Sequence, residues 1–201
     1  MAYSNFTLQT VEKEFELEFL EHAGIFAEIE PVELSAELTK ALARNVPLAT
    51  TINTEKARSE MIVAVVLVEL REQFDRKISL FSGIDFNVDA ESGLTGVCDF
   101  LVSLSPRQSY VEVPIITLVA AKNLDLKLGL GQCVAEMLAA QRFNAEEGND
   151  IPYVYGASTT GVEWQFLKLA GKCLHVDIAT YQIAQCEKIL GILSSMVTQK
   201  A

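Results

Sequence analysis

GLTGVCDFLVSLSPRQSYVEVPIITLVAAKNLDLKLGLGQCVAEMLAAQRFN, residues 93–144, decides how this chain is read. It predicts a strand over Leu94–Leu104, a turn at Pro106 and Arg107, a strand over Tyr110–Ala121 and a helix over Leu128–Phe143. PIITLVAA is apolar on both faces, and a strand of that kind belongs in the centre of a sheet covered on both sides. Asp99 lies inside the apolar run VCDFLV. A lone buried carboxylate is costly, so Asp99 calls for a partner or a metal. Lys122 ends the next strand, and Ala120 and Lys122, two residues apart, share a strand face. Gln132 and Glu136 follow one helical turn apart on one helix face. The plain alternatives are a structural Asp99–Lys122 pair at the sheet end and a solvent-facing Glu136.

Upstream, Thr54–Phe74 carries the β-branched run IVAVVLV, yet no turn signal interrupts twenty-one residues. Strands rarely run so long, which predicts one long buried helix. On it Glu55, Ser59, Ile62, Val66 and Glu69 fall near one stripe, and Glu60 points elsewhere. Lys77–Val88 predicts a strand, joined to the next by the loop DAESG, where Gly93 can take positive φ. Downstream, YVYGAST and VEWQFLKLA predict a hairpin around Thr160 and Gly161, followed by the strand CLHVDI and a helix over Ile183–Val197. Helix, three strands, helix, strands, helix is an α/β order that needs a mixed sheet covered on both faces.

Residues 1–52 read as an acidic extension preceding a domain over 53–201. The first fifty residues hold nine glutamates against Lys13, Lys40 and Arg44. VEKEFELEFLEHAG predicts a helix ending near Gly24, IFAEIEPVEL an edge strand or extended segment, and SAELTKALAR a short helix capped by Ser35 and ended by Pro47. The net charge is −11, which repels nucleic acid unless basic groups are concentrated locally. No apolar run is long enough to span a bilayer, and the first residues lack the pattern of a signal peptide, so a cytoplasmic protein without membrane partners is expected. Cys98, Cys133, Cys173 and Cys186 form no CxxC pair and read as buried free thiols.

Gly-Val-Cys-Asp99, an apolar strand ending Ala120-Ala121-Lys122, and GLGQCVAEM on a helix together resemble the PD-(D/E)XK nuclease superfamily. The likeness runs over roughly 53–178 and is narrowest to a bacterial group of restriction-endonuclease-like proteins. It implies a restriction-endonuclease-like central mixed sheet flanked by helices. It implies that Asp99 is a Mg²⁺ ligand, that Lys122 positions and activates the attacking water, and that Gln132 is the polar residue of the following helix. It also implies a first-helix carboxylate at Glu55, Glu60 or Glu69, with Glu60 immediately before the apolar run. The departure is Ala120, where the pattern wants Asp or Glu to share the ion with Asp99. A methyl group cannot ligate Mg²⁺, which prefers oxygen ligands including one or two carboxylates. Glu136 is the candidate replacement ligand.

Two functions are therefore expected from different classes. One is a Mg²⁺-dependent nuclease acting on DNA through Asp99, Lys122, Gln132 and Glu136. The other is a non-catalytic relative, a homodimer or a binder of another protein, that keeps the fold as scaffold. The remaining signals read as architecture. Gly129 and Gly131 set the turn into the helix, since the dinucleotide fingerprint is incomplete. Trp164 and Phe166 share a packing face, His175 is a strand histidine, and His22 stands alone among glutamates.

Overall fold

The computed structural model describes residues 2–122, 125–149 and 151–199. The elements run α1 (Leu8–Phe15), β1 (Glu18–His22), α2 (Ala36–Ile52), α3 (Glu55–Arg58), α4 (Ala64–Gln73), β2 (Ser79–Asp85), β3 (Val97–Ser103) and β4 (Ile115–Ala121). They continue as α5 (Leu126–Glu146), β5 (Val154–Thr159), β6 (Glu163–Ala170), β7 (Cys173–Asp177), β8 (Tyr181–Gln182) and α6 (Cys186–Val197). The strands form one open mixed sheet in the order β1-β7-β6-β5-β4-β3-β2, with β8 pairing β6. β2, β3 and β4 are an antiparallel meander, β4 and β5 are parallel, and α5 is the crossover between them. The chain is thus α/β, as the element order predicts.

All seven residues of β4 are buried, which explains its central place. One apolar layer packs α5 and α1 onto the sheet, through residues such as Leu118, Ala120, Met137 and Val11. The opposite layer packs α2, α4 and α6 through Leu42, Leu67, Val119 and Ile189. Trp164 and Phe166 stack within it, 6.2 Å apart. Asn144 locks α5 to the start of β4: its Oδ1 accepts from Ile115 N–H at 2.8 Å, and its Nδ2 donates to Ile115 O at 2.7 Å. Among the described residues no helix is long and apolar enough to cross a membrane.

Several expectations change. Within residues 1–52, α1 and β1 both pack against the rest of the chain. β1 extends the sheet in parallel with β7, and α1 lies on α5. The first helix stops at Phe15, because Glu16 takes a left-handed conformation (φ 52), and the chain then enters β1 instead of running helical to Gly24. IFAEIEPVEL forms no strand. Pro47 does not end α2, which continues to Ile52 while the Thr50 and Thr51 hydroxyls bond carbonyls of the preceding turn. The long helix of Thr54–Phe74 is present but holds a π-turn over Ser59–Val63, where Ala64 N–H reaches back five residues to Ser59 O. That extra residue breaks the stripe that would have aligned Glu55 with Glu69. α5 is buried almost all round rather than amphipathic. His22 is not alone: its ring stacks on His175 at 5.7 Å. Cys98, Cys133 and Cys186 are buried free thiols as expected, and Cys173 is half-buried.

Glu69 serves this frame. Its carboxylate accepts from Ser35 N–H at 3.1 Å and from the Ser35 hydroxyl at 2.8 Å, while the same hydroxyl caps α2 at Leu38 N–H. Ser35→Ala and Glu69→Gln should each lower the urea midpoint, by about 1 kcal/mol of stability for the lost cap. Neither should change the cleft described next. Unchanged midpoints would show that the cap does not hold α2.

Candidate active site

The end of the central strand builds the site. β2 pairs with β3 through Ser82↔Phe100 and Ile84↔Cys98, which leaves Gly83 opposite Asp99. Gly83 has φ 60, a conformation that glycine adopts readily. Around it the alternation of β3 slips. Cys98 and Leu101 both join the α5 layer, while Phe100 and Val102 join the other. β2 and β3 keep one register on both sides of this position, so no residue is inserted there. Asp99 Oδ2 accepts from Ala121 N–H at 2.9 Å, which ties the carboxylate to the last residue of β4.

Lys122 follows at once. Its backbone N–H donates to Thr159 O at 2.7 Å, continuing the β4–β5 ladder. Its Nζ donates to Gln132 Oε1 at 2.8 Å, and Gln132 Nε2 donates to Glu136 Oε1 at 2.9 Å. An ammonium, an amide and a carboxyl therefore form one chain along the first turns of α5. Glu136 is fully buried, and its Oε2 has no hydrogen-bond partner among the described residues. The solvent-facing alternative for Glu136 is thereby overturned, since α5 lies against the sheet on that side.

Burial pushes the Glu136 carboxyl up to about 8; Asp99 adds to this, while the Gln132 amide and Lys122 oppose it. Burial also raises Asp99, against the pull of the Ala121 N–H and Lys122. The neighbouring Cys98 and Cys133 thiols are raised by burial and by Glu136, so they are inert rather than nucleophilic.

Asp99, Lys122 and Gln132 line a cleft of about 380 Å³, together with Glu55. Glu55 starts α3 behind its cap Thr54. Of the three first-helix candidates, Glu55 is the one at the cleft. Glu60, expected as a possible metal ligand, is exposed and pairs with Lys56 at 3.6 Å, and Glu69 bonds Ser35, so neither is in the cleft lining. Ala120 is buried in the α5 layer, where its methyl completes apolar packing. The glycines of GLGQ lie inside α5 rather than in a turn before it. A Cβ on Gly129 would sit 2.4 Å from Ser158 Oγ, and one on Gly131 would sit 2.3 Å from Phe6 O.

The sequence pattern gave no signal for Tyr3. Its ring is buried, its N–H donates to Thr95 O at 2.9 Å, and its hydroxyl donates to Phe86 O at 2.7 Å. Ala2, Tyr3 and Ser4 form part of the cleft lining.

Among the described residues no three His, Cys, Asp or Glu side chains converge closely enough to hold a metal. The site offers a half-buried carboxyl, Asp99, and a fully buried one, Glu136, whose Oε2 is unmatched among the described residues. No protein-family model, curated protein or solved structure matches the chain.

Neutral when folded and ionised when unfolded, Glu136 contributes stability that is full below about pH 4.5 and is lost as pH rises through about 8. Asp99 acts in the same direction. In metal-free buffer, Glu136→Gln should therefore gain on the wild type across that window, by a margin on the order of a few kcal/mol. Urea midpoints at the two ends measure it. A constant difference between the two proteins would show that Glu136 is ionised in the folded chain.

Proposed function

We propose that the chain is a restriction-endonuclease-like protein of the PD-(D/E)XK type that hydrolyses phosphodiester bonds, with a divalent cation held between Asp99 and Glu136. The observation that carries this reading is the buried Glu136, joined through Gln132 to Lys122 and left with one free oxygen. The reading is also supported by the open mixed sheet flanked by helices and by Asp99, Lys122 and Gln132 lining one cleft.

Asp99 lines the cleft, and Glu136 is buried outside its lining and joined to it through Gln132. Their donors are carboxylate oxygens, which suit Mg²⁺, and Mg²⁺ binds through as few as one or two carboxylates. The unmatched Oε2 is a costly feature on its own, and a cation would compensate it. A bound Mg²⁺ would supply polarisation of a phosphoryl oxygen and a hydroxide nucleophile. The chain's own groups do the rest. Gln132 fixes the Lys122 ammonium by accepting a hydrogen bond from it, which leaves the other N–H bonds of Nζ for a phosphate oxygen or the attacking water. The Ala121 N–H holds Asp99 in place. Glu55 stands at the cleft as a further acceptor for a proton or a water.

A second reading, a non-catalytic relative, is favoured by Ala120, whose methyl occupies the expected ligand position and packs well there. Calorimetric Mn²⁺ titration separates the two. The wild type should bind with defined stoichiometry, and Asp99→Asn and Glu136→Gln should each weaken binding by roughly tenfold or more. Asp99→Asn should also abolish Mn²⁺-dependent cleavage of DNA. Binding by Ala120→Glu but not by the wild type would establish the non-catalytic reading. Cleavage that persists in Asp99→Asn would sink the proposed site.

A further inference from the structure

Residues 2–7 cross α5 at the candidate site, and the fold makes room for them in two separate places. Gly131, the residue before Gln132, lies under Phe6 and Thr7: a Cβ there would stand 2.3 Å from Phe6 O and 2.7 Å from Thr7 Cα. Backbone atoms cannot give way as a flexible side chain can. Gly96, at φ 141, lies under the Tyr3 ring, where a Cβ would stand 3.1 Å from the ring edge. Tyr3 is then tied by its N–H to Thr95 O and by its hydroxyl to Phe86 O and Leu94 O. Phe6 is buried beside it and packs on Phe15 of α1 at 5.9 Å. The segment is therefore a fixed wall, and its Ala2–Ser4 stretch borders the cleft that holds Asp99, Lys122 and Gln132.

The wall limits what can enter. The cleft of about 380 Å³ lies near the lower end of small-ligand sites, which run from about 300 to 1,000 Å³. Its lining carries the acids Glu55 and Asp99 against the single cation Lys122 among the described residues. Duplex DNA presents a phosphate charge about every 1.7 Å of its axis and is held by many basic contacts. A chain of net charge −11 with this lining offers little to such a rod. A flexible single strand can thread one phosphodiester to Lys122 while the remaining phosphates stay in water.

We propose that Ala2–Ser4 are specificity-determining residues that restrict the candidate active site to single-stranded nucleic acid and exclude duplex. This rests on the phosphodiesterase reading above and names its substrate class.

The test uses fluorescence anisotropy of labelled single DNA and RNA strands and of the matching duplex, with Mn²⁺-dependent cleavage as the second readout. The wild type should favour the strand over the duplex by roughly tenfold or more in both. Comparing DNA with RNA identifies which strand is used. Ser4 is exposed, so Ser4→Trp should leave the fold and Mn²⁺ binding intact while blocking strand binding roughly tenfold. Tyr3→Ala, which removes the anchor of the wall, should bring duplex and strand together. Equal or better use of the duplex by the wild type overturns the inference, as does Ser4→Trp that binds strand normally. A wild type that binds Mn²⁺ yet neither binds nor cleaves a strand also overturns it, with the cation site left standing. A wild type that binds no Mn²⁺ removes the phosphodiesterase reading first.

Discussion

The structure depends on a central strand that keeps no side chain in water. Every residue from Ile115 to Ala121 is buried, so both faces of β4 must be covered by apolar layers. That requirement places α5 on one side and the α2, α4 and α6 layer on the other. It also determines where polarity can return. Polar side chains gather where β4 ends and the chain can reach solvent, and Lys122 is the first residue there. Asp99 meets the same end, where its carboxylate accepts from Ala121 N–H. The site lies at the strand end because the middle of β4 offers no room for a hydrated group.

Much of this frame is legible in the sequence, because strong apolar periodicity marks buried elements. PIITLVAA, the long helix over Thr54–Phe74 and the hairpin at Thr160–Gly161 follow directly from pattern. The misreadings have local causes. Pro47 predicts a helix end, but the surrounding residues still pack and the helix continues through it. The π-turn at Ser59–Val63 changes the phase of the long helix, and period 3.6 cannot report an inserted residue. Glu69 therefore moved off the expected stripe while Glu55 remained at the cleft. The acidic content of residues 1–52 masked their structural part, although Val11, Leu17, Phe19 and Phe26 all pack into the two apolar layers. Asp99, Lys122 and Gln132 were legible as a group, whereas Tyr3 carries no local pattern and reaches the cleft only through tertiary structure.

Gln132 explains why the polar chain has one orientation. An amide side chain offers an acceptor at one end and donors at the other. Lys122 has only donors, so it takes Oε1, and Nε2 is then turned toward Glu136. A carboxylate at position 132 would face Glu136 with like charge, and an aliphatic residue would leave both neighbours unmatched. The amide thus links the Lys122 side chain to a carboxyl that burial tends to keep neutral.

The position of Glu136 carries a wider consequence. A carboxylate at position 120 would be placed by the ladder of β4, whose geometry is set by its neighbours on both sides. One on α5 is placed by how that helix sits on the sheet. Here the placement is controlled at both ends. Asn144 clamps the C-terminal part of α5 to Ile115, and close approaches at Gly129 and Gly131 fix its N-terminal part against Ser158 and Phe6. A helix held at two points holds its intervening side chains to a narrow range of positions, which is what a site built across two elements requires. The contacts that look purely architectural are therefore the ones that place Glu136 next to the Lys122–Gln132 pair.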